Sequence, residues 1–146
     1  MIRFAITVLL LGLALGQRRN IAYEDCGCNA KILSVEIEPC DSDPCVLKRG
    51  TTSKIHFTLI ADQDSETASL SASIRMFLGF MMPIPGLESN LCKDIIQCPV
   101  VKGKTYTGVM EVAVPSFAPS METSVQIKIV GDKGVSICTK SNVLIE

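Results

Sequence analysis

The chain of 146 residues has no Trp, two Tyr and one His, and aromatic side chains make up 5% of it. A single imidazole, His56, leaves no partner for a Cys-His or Ser-His nucleophile pair, and it lies on the polar side of an alternating stretch. Neither a G-x-S-x-G elbow nor an H-E-x-x-H zinc motif occurs. Paired C-x2-C spacing, the usual sign of structural zinc, is missing too. Asp62, Asp64 and Glu66 cluster, but without the glycine and the closing glutamate of a calcium loop. No sign of charge prevails: 14 basic and 15 acidic residues leave a net charge of -1, and no field is aimed at nucleic acid. No Asn opens an N-x-S/T sequon. Beyond residue 16 no apolar run is long enough to cross a bilayer. These absences exclude the common hydrolase and metalloenzyme designs and call for no cofactor and no metal.

The first segment present is MIRFAITVLLLGLALGQRRN. Arg3 supplies a positive start, Phe4 to Leu13 an apolar stretch, and Ala14-Leu15-Gly16 a small-x-small site before Gln17. This pattern predicts a secretory signal peptide over residues 1–16. About 130 residues then remain, enough for one domain with its own core. The mature protein, residues 17–146, is expected to be secreted or lumenal and monomeric.

Seven cysteines in a secreted chain imply a disulfide framework with one thiol left over. Cys40 and Cys45 enclose the turn-forming DSDP, and Cys92 and Cys98 enclose KDIIQ, so each pair is expected to close a short loop. The third bridge then ties Cys26 or Cys28 to Cys138, near the two ends of the domain.

Period-two alternation dominates the rest. Leu33, Val35 and Ile37 share one face of KILSVEIE (31–38), and Ile55, Phe57, Leu59 and Ala61 share one face of SKIHFTLIAD (53–62). The same pattern puts Ala68, Leu70, Ala72, Ile74, Met76 and Leu78 on one side of a long strand over 67–80. Segments 105–114, 124–131 and 135–145 follow, with turn signals such as KRGTT, DQDSE and GDKG between segments. No helical stripe with caps appears. The expected fold is an all-β, immunoglobulin-like sandwich of two antiparallel sheets, without the Trp that marks true immunoglobulin domains. GFMMPIPGL (79–87) fits badly in a central strand, because Pro83 and Pro85 lack the amide it must donate. A sheet edge at one end of the sandwich suits it, with its Met and Pro side chains turned toward the gap between the sheets.

At this point the residues carry a resemblance. DCG (25–27), the P-C-x4-C element from Pro39 to Cys45, PIP (83–85), Cys92 with Cys98-Pro99, KTY (104–106), VPSFAPS (114–120) and the cysteine of GVSICTK (134–140) occur in this order. Together they resemble the ML, or MD-2-related lipid-recognition, family, nearest its Niemann-Pick type C2-like secreted branch. The resemblance covers essentially all of the mature chain. It implies a lipid-holding cavity between the sheets and bridges Cys26–Cys138, Cys40–Cys45 and Cys92–Cys98, with Cys28 as a free thiol. It also sets Met82, Val114 and Ala118, with Phe117 one place earlier, at the cavity mouth and Ile127 in a late strand beside it.

From pattern and resemblance together, eleven residues are expected to line the ligand site. Phe57, Met76, Leu78 and Phe80 come from the strand faces and their continuation. Met82, Pro83 and Ile84 come from the proline segment, and Val112, Val114, Phe117 and Ile127 from the later strands. The expected function is that of a non-enzymatic carrier of a hydrophobic small molecule: a fatty acid, a sterol or an apolar semiochemical. Its partners are this ligand and, in passing, a membrane or a receptor. Two rivals are an innate-immune module that presents bound lipid to a receptor, and a packed-core protein with no ligand. Two basic pairs, Lys48-Arg49 and Lys102/Lys104, flank turns and are candidates for a basic rim around the mouth.

Overall fold

The computed structural model describes residues 17–146, apart from the side chain of Phe77. The leader expected over 1–16 lies outside the described residues. Ten strands follow in order: β1 (Arg19–Asn20), β2 (Glu24–Asp25), β3 (Lys31–Glu38), β4 (Cys45–Leu47), β5 (Thr52–Ile60), β6 (Ser69–Arg75), β7 (Met81–Pro83), β8 (Thr105–Ala113), β9 (Met121–Gly131) and β10 (Gly134–Ile145). They form one sheet ordered β1-β3-β5-β8 and a larger one ordered β2-β10-β9-β6-β7, with β4 also against β10. Pairing is antiparallel except between β4 and β10, which run parallel. Alternating apolar residues on each sheet need a second apolar face, and the two sheets supply it to each other. Phe57 and Met110 of the smaller sheet share a buried cluster with Leu70, Ile129 and Ile137 of the larger one.

Two stretches depart from strict alternation. In β3 a register shift between Ile32 and Ser34 reverses the inward face. Leu33 therefore points outward, 48% exposed, while Ile32 packs against the core. The strand expected over 67–80 stops at Arg75. A 3-10 turn over Phe77–Gly79 follows, with Leu78 and Gly79 both at positive φ (68° and 82°), and the chain doubles back as β7. The backbone amide of Met76 donates to the carbonyl of Phe80 across this reversal. Gly79 is the residue that adopts such a φ at no steric cost.

The proline segment lies on the edge of the larger sheet, where a missing amide costs no ladder bond. From Ile84 the chain continues along the outer side of β6 without forming a regular strand. Its hydrogen bonds Ile84 N to Ala72 O, Leu70 N to Ser89 O and Leu91 N to Ala68 O leave little of that edge free. Leu91, 1% exposed, is thereby pressed into the core.

Three disulfides join Cys26–Cys138, Cys40–Cys45 and Cys92–Cys98, and Cys28 is free. Which N-terminal cysteine takes the long bridge follows from local geometry. The Asp25 carboxylate accepts the amides of Gly27 and Cys28, folding the chain into a tight turn after Cys26. Those two amides, Cys28 first, hold the Asp25 carboxyl below its ordinary range. The turn leaves the Cys28 sulfur against the Cys138 backbone, donating to its carbonyl and accepting from its amide. Burial pushes the Cys28 thiol up, so it is a poor nucleophile at neutral pH. Alkylation of the unfolded, non-reduced monomer should modify one thiol per chain; zero or more than one would contradict this pairing.

Phe57 sits directly across from Gly108 on β8. A Cβ on Gly108 would lie 2.5 Å from the tip of the Phe57 ring and 3.0 Å from an Ile95 methyl. Gly108→Ala should lower stability by about 1–3 kcal/mol through overpacking. Urea unfolding checks it, with a lowered midpoint and an unchanged slope.

Candidate functional site

The gap between the sheets is unequally filled. At the end where β5 finishes, Phe57, Leu91 and Ile129 close it. At the other end it stays open as a cavity of about 290 Å³, at the small end of ligand-binding cavities. Its walls come from Ile55, Met110 and Val112 of the smaller sheet and from Ala72, Val125 and Val143 of the larger. Every lining side chain is apolar except those of Ser53 and Ser141. No charged side chain is among the residues that line it.

The opening lies where the two sheet edges part, between the β8–β9 loop and the segment after β7. Lining residues exposed on this side are Met82, Pro85, Ala113, Phe117 and Pro119. Phe117 is 82% exposed and stands at the lip. Pro115 and Pro119 stiffen this loop on one side of the mouth, as Pro83 and Pro85 do on the other. Four methionines, Met76, Met82, Met110 and Met121, are part of the wall. Their unbranched thioethers let it change shape at small cost.

Seven of the eleven expected residues line this cavity: Met76, Met82, Ile84, Val112, Val114, Phe117 and Ile127. Four do not. Phe57 has the inward orientation that alternation requires, but its ring lies over Gly108 in the closed half, where it fills the core. Leu78 and Phe80, 79% and 68% exposed, flank the reversal after β6 and project into solvent. Pro83 is paired with Ser73 and so points to the outer face, one residue after the inward Met82. Residues missed by the sequence reading include Ile21, Leu47, Leu87 and Ile145. Ile145 follows alternation forward from Val143, but Thr139 and Ser141 on the same inward face hide that pattern.

The basic pairs separate cleanly. Lys102 and Lys104 belong to the closed end, where Lys104 lies 5.4 Å over the Tyr106 ring and the Lys102 amide donates to Asp64. Lys48 and Arg49 belong to the open end. Their turn joins β4 to β5 and packs on the β8–β9 loop through the Gly50 amide, which donates to the Val114 carbonyl. Arg49 Nη1 reaches the carbonyl of Ala118, a cavity-lining residue, at 3.4 Å. His56 is remote from the cavity, between Arg18 at 3.2 Å and Glu38 at 3.6 Å on the outer face of the smaller sheet. It is partly covered by them rather than fully exposed.

Comparison with known proteins agrees with this geometry. The chain is 32% identical over 132 residues to the mouse protein named NPC intracellular cholesterol transporter 2, covering 88% of this chain and 87% of that one. It is 33% identical over 137 residues to mite group 2 allergen Eur m 2 of Euroglyphus maynei, covering 92% of each. Its fold superposes on the crystal structure of a Niemann-Pick type C2 protein from the Japanese carpenter ant, with a TM-score of 0.76 and 19% identity over 86% of this chain and 99% of that one. The family profile described as the ML domain matches residues 20–145, and the chain belongs to the ML domain family.

Proposed function

We propose that this protein is a secreted, non-enzymatic carrier that holds one hydrophobic small molecule between its sheets and gives it up to a membrane or a receptor. The observation that carries this reading is the cavity, apolar but for two serines and open at one end of an otherwise packed sandwich. The printed name of the mouse relative, a cholesterol transporter, supports the ligand class. The N-terminal leader pattern and the three disulfides support secretion.

The driving force is desolvation. An insoluble molecule that buries about 400 Å² of apolar surface gains roughly 10 kcal/mol. Association costs of at least about 4 kcal/mol leave a net of at most about 6 kcal/mol, a dissociation constant in the tens of micromolar or weaker. Such a slot sorts ligands by length and width, since it has two hydroxyls and no other polar group inside. Phe117 forms the apolar lip through which cargo leaves, and Leu78 and Phe80 are exposed on the reversal that links the lining residues Met76 and Met82.

Native mass spectrometry of protein secreted by a eukaryotic host is expected to show a bound apolar mass. Protein that emerges empty, and that also rejects fatty acids and sterols in a fluorescent-probe displacement assay, refutes the carrier reading. A mutation tests the wall. Val114 is buried, lines the cavity and is anchored to the Lys48–Thr51 turn by two backbone hydrogen bonds. Val114→Trp should fill the space beneath the mouth and cut ligand uptake at least about ten-fold, with secretion and strand content unchanged. Undiminished uptake by the folded variant removes Val114 from the wall.

A further inference from the structure

The cavity accepts no charge, yet a cation stands at its mouth. Arg49 is exposed, and its guanidinium rests on the carbonyl of Ala118 in the loop that carries Phe117. Lys48 is exposed beside it in the same turn. Among the described residues, no acidic side chain lies within ion-pair distance of either one. The turn itself is firmly held. The Thr51 amide and hydroxyl both donate to the Lys48 carbonyl, the Arg49 amide donates to the Glu146 carbonyl, and the Gly50 amide donates to the Val114 carbonyl. Two basic side chains are thus positioned at the rim of an oily cavity with no acidic partner of their own.

Resting on the carrier reading, we infer that the ligand is a single-chain amphiphile with a carboxylate head, a long-chain fatty acid, whose carboxylate Arg49 holds at the mouth while its tail fills the cavity. Insertion in the reverse sense would put an ionised carboxylate among apolar walls, with only Ser53 and Ser141 to meet it. Tail-first insertion leaves the head in water at the rim. There a guanidinium forms charge-assisted hydrogen bonds with a carboxylate, and its planar fork can take both oxygens. A sterol or a fatty alcohol fills the same space without using the cation. Arg49 therefore reads the head group, while the wall reads the tail. The anionic head groups of a membrane carry the same chemistry, so a vesicle-free assay is needed to separate ligand from membrane.

Displacement of the neutral probe N-phenyl-1-naphthylamine by oleate, oleyl alcohol and cholesterol, without vesicles, tests this. Wild-type protein should prefer oleate to oleyl alcohol by about five-fold, the scale of a solvent-exposed charge pair. Arg49→Gln should abolish that preference while leaving the affinities for probe and alcohol unchanged, and Arg49→Lys should retain most of it. Lys48→Gln combined with Arg49→Gln removes compensation by the neighbouring cation. Equal affinity of the wild type for acid and alcohol overturns the inference alone. So does a parallel loss of both ligands in Arg49→Gln, which would mark Arg49 as a support for the loop. Dependence on Arg49 that appears only in transfer from phosphatidylserine vesicles also overturns it, in favour of a membrane contact. Failure of the probe and all three ligands to bind would instead remove the carrier reading on which it rests.

Discussion

Two β-sheets stacked face to face stand about 10 Å apart, and only side chains long enough to interlock can fill that space. Everything functional here follows from where this condition is met. At the closed end the Phe57 ring lies over Gly108, and Leu91 is pressed in from the segment alongside β6. At the open end, Ala72, Val112, Val125 and Val143 oppose one another with small or medium side chains. The chain has no Trp with which to bridge them. A large aromatic in this half would restore native packing density and erase the cavity.

An unfilled apolar gap tends to collapse, and the sequence resists this by stiffening the rim rather than the walls. Pro83 and Pro85 hold one lip, and Pro115 and Pro119 the other, with φ fixed at each. The Cys26–Cys138 bridge closes a sequence separation of 112 residues and anchors the N-terminal segment to β10, the strand at the heart of the larger sheet. The Cys40–Cys45 bridge packs with Ile37 and Ile21 beside the cavity. The walls themselves include four methionines, whose side chains adapt. Rigid lips and soft walls suit a site that must stay open yet accept more than one shape.

The six longer strands, most of their faces and the closed short loops were legible because alternation and turn chemistry are local properties; β1, β2 and β4, two or three residues each, are too short to carry a period. Position along the gap was not legible. Phe57 and Ile55 share an inward face, but two residues along a strand separate packed core from open cavity, and no local pattern records that difference. Leu33 was misplaced because a bulge needs no unusual residue to shift the register by one. Leu78 and Phe80 continued the alternation of β6 past its true end. Gly79 was the signal of reversal, overridden by an apolar period that ran through it. The long disulfide depended on a turn made by the Asp25 side chain, a contact that spacing alone does not reveal.

Separating the apolar cavity from the basic turn gives the site two independent sources of discrimination. Burial supplies affinity, which scales with area and changes little for one methylene. Charge at the rim supplies sorting between head groups and costs no desolvation inside the protein, because Arg49 remains in water. A cation within the cavity would bind a carboxylate more tightly, but in the empty protein it would be an unpaired buried charge and a heavy penalty on the fold. Placing it outside keeps the empty state stable and lets the head group be released first. A tail lodged as proposed would then need only to slide past Phe117 and Met82, two of the exposed side chains at the opening. A carrier has to load and unload at similar concentrations of lipid, and that requirement favours moderate affinity with a reversible hold at the door.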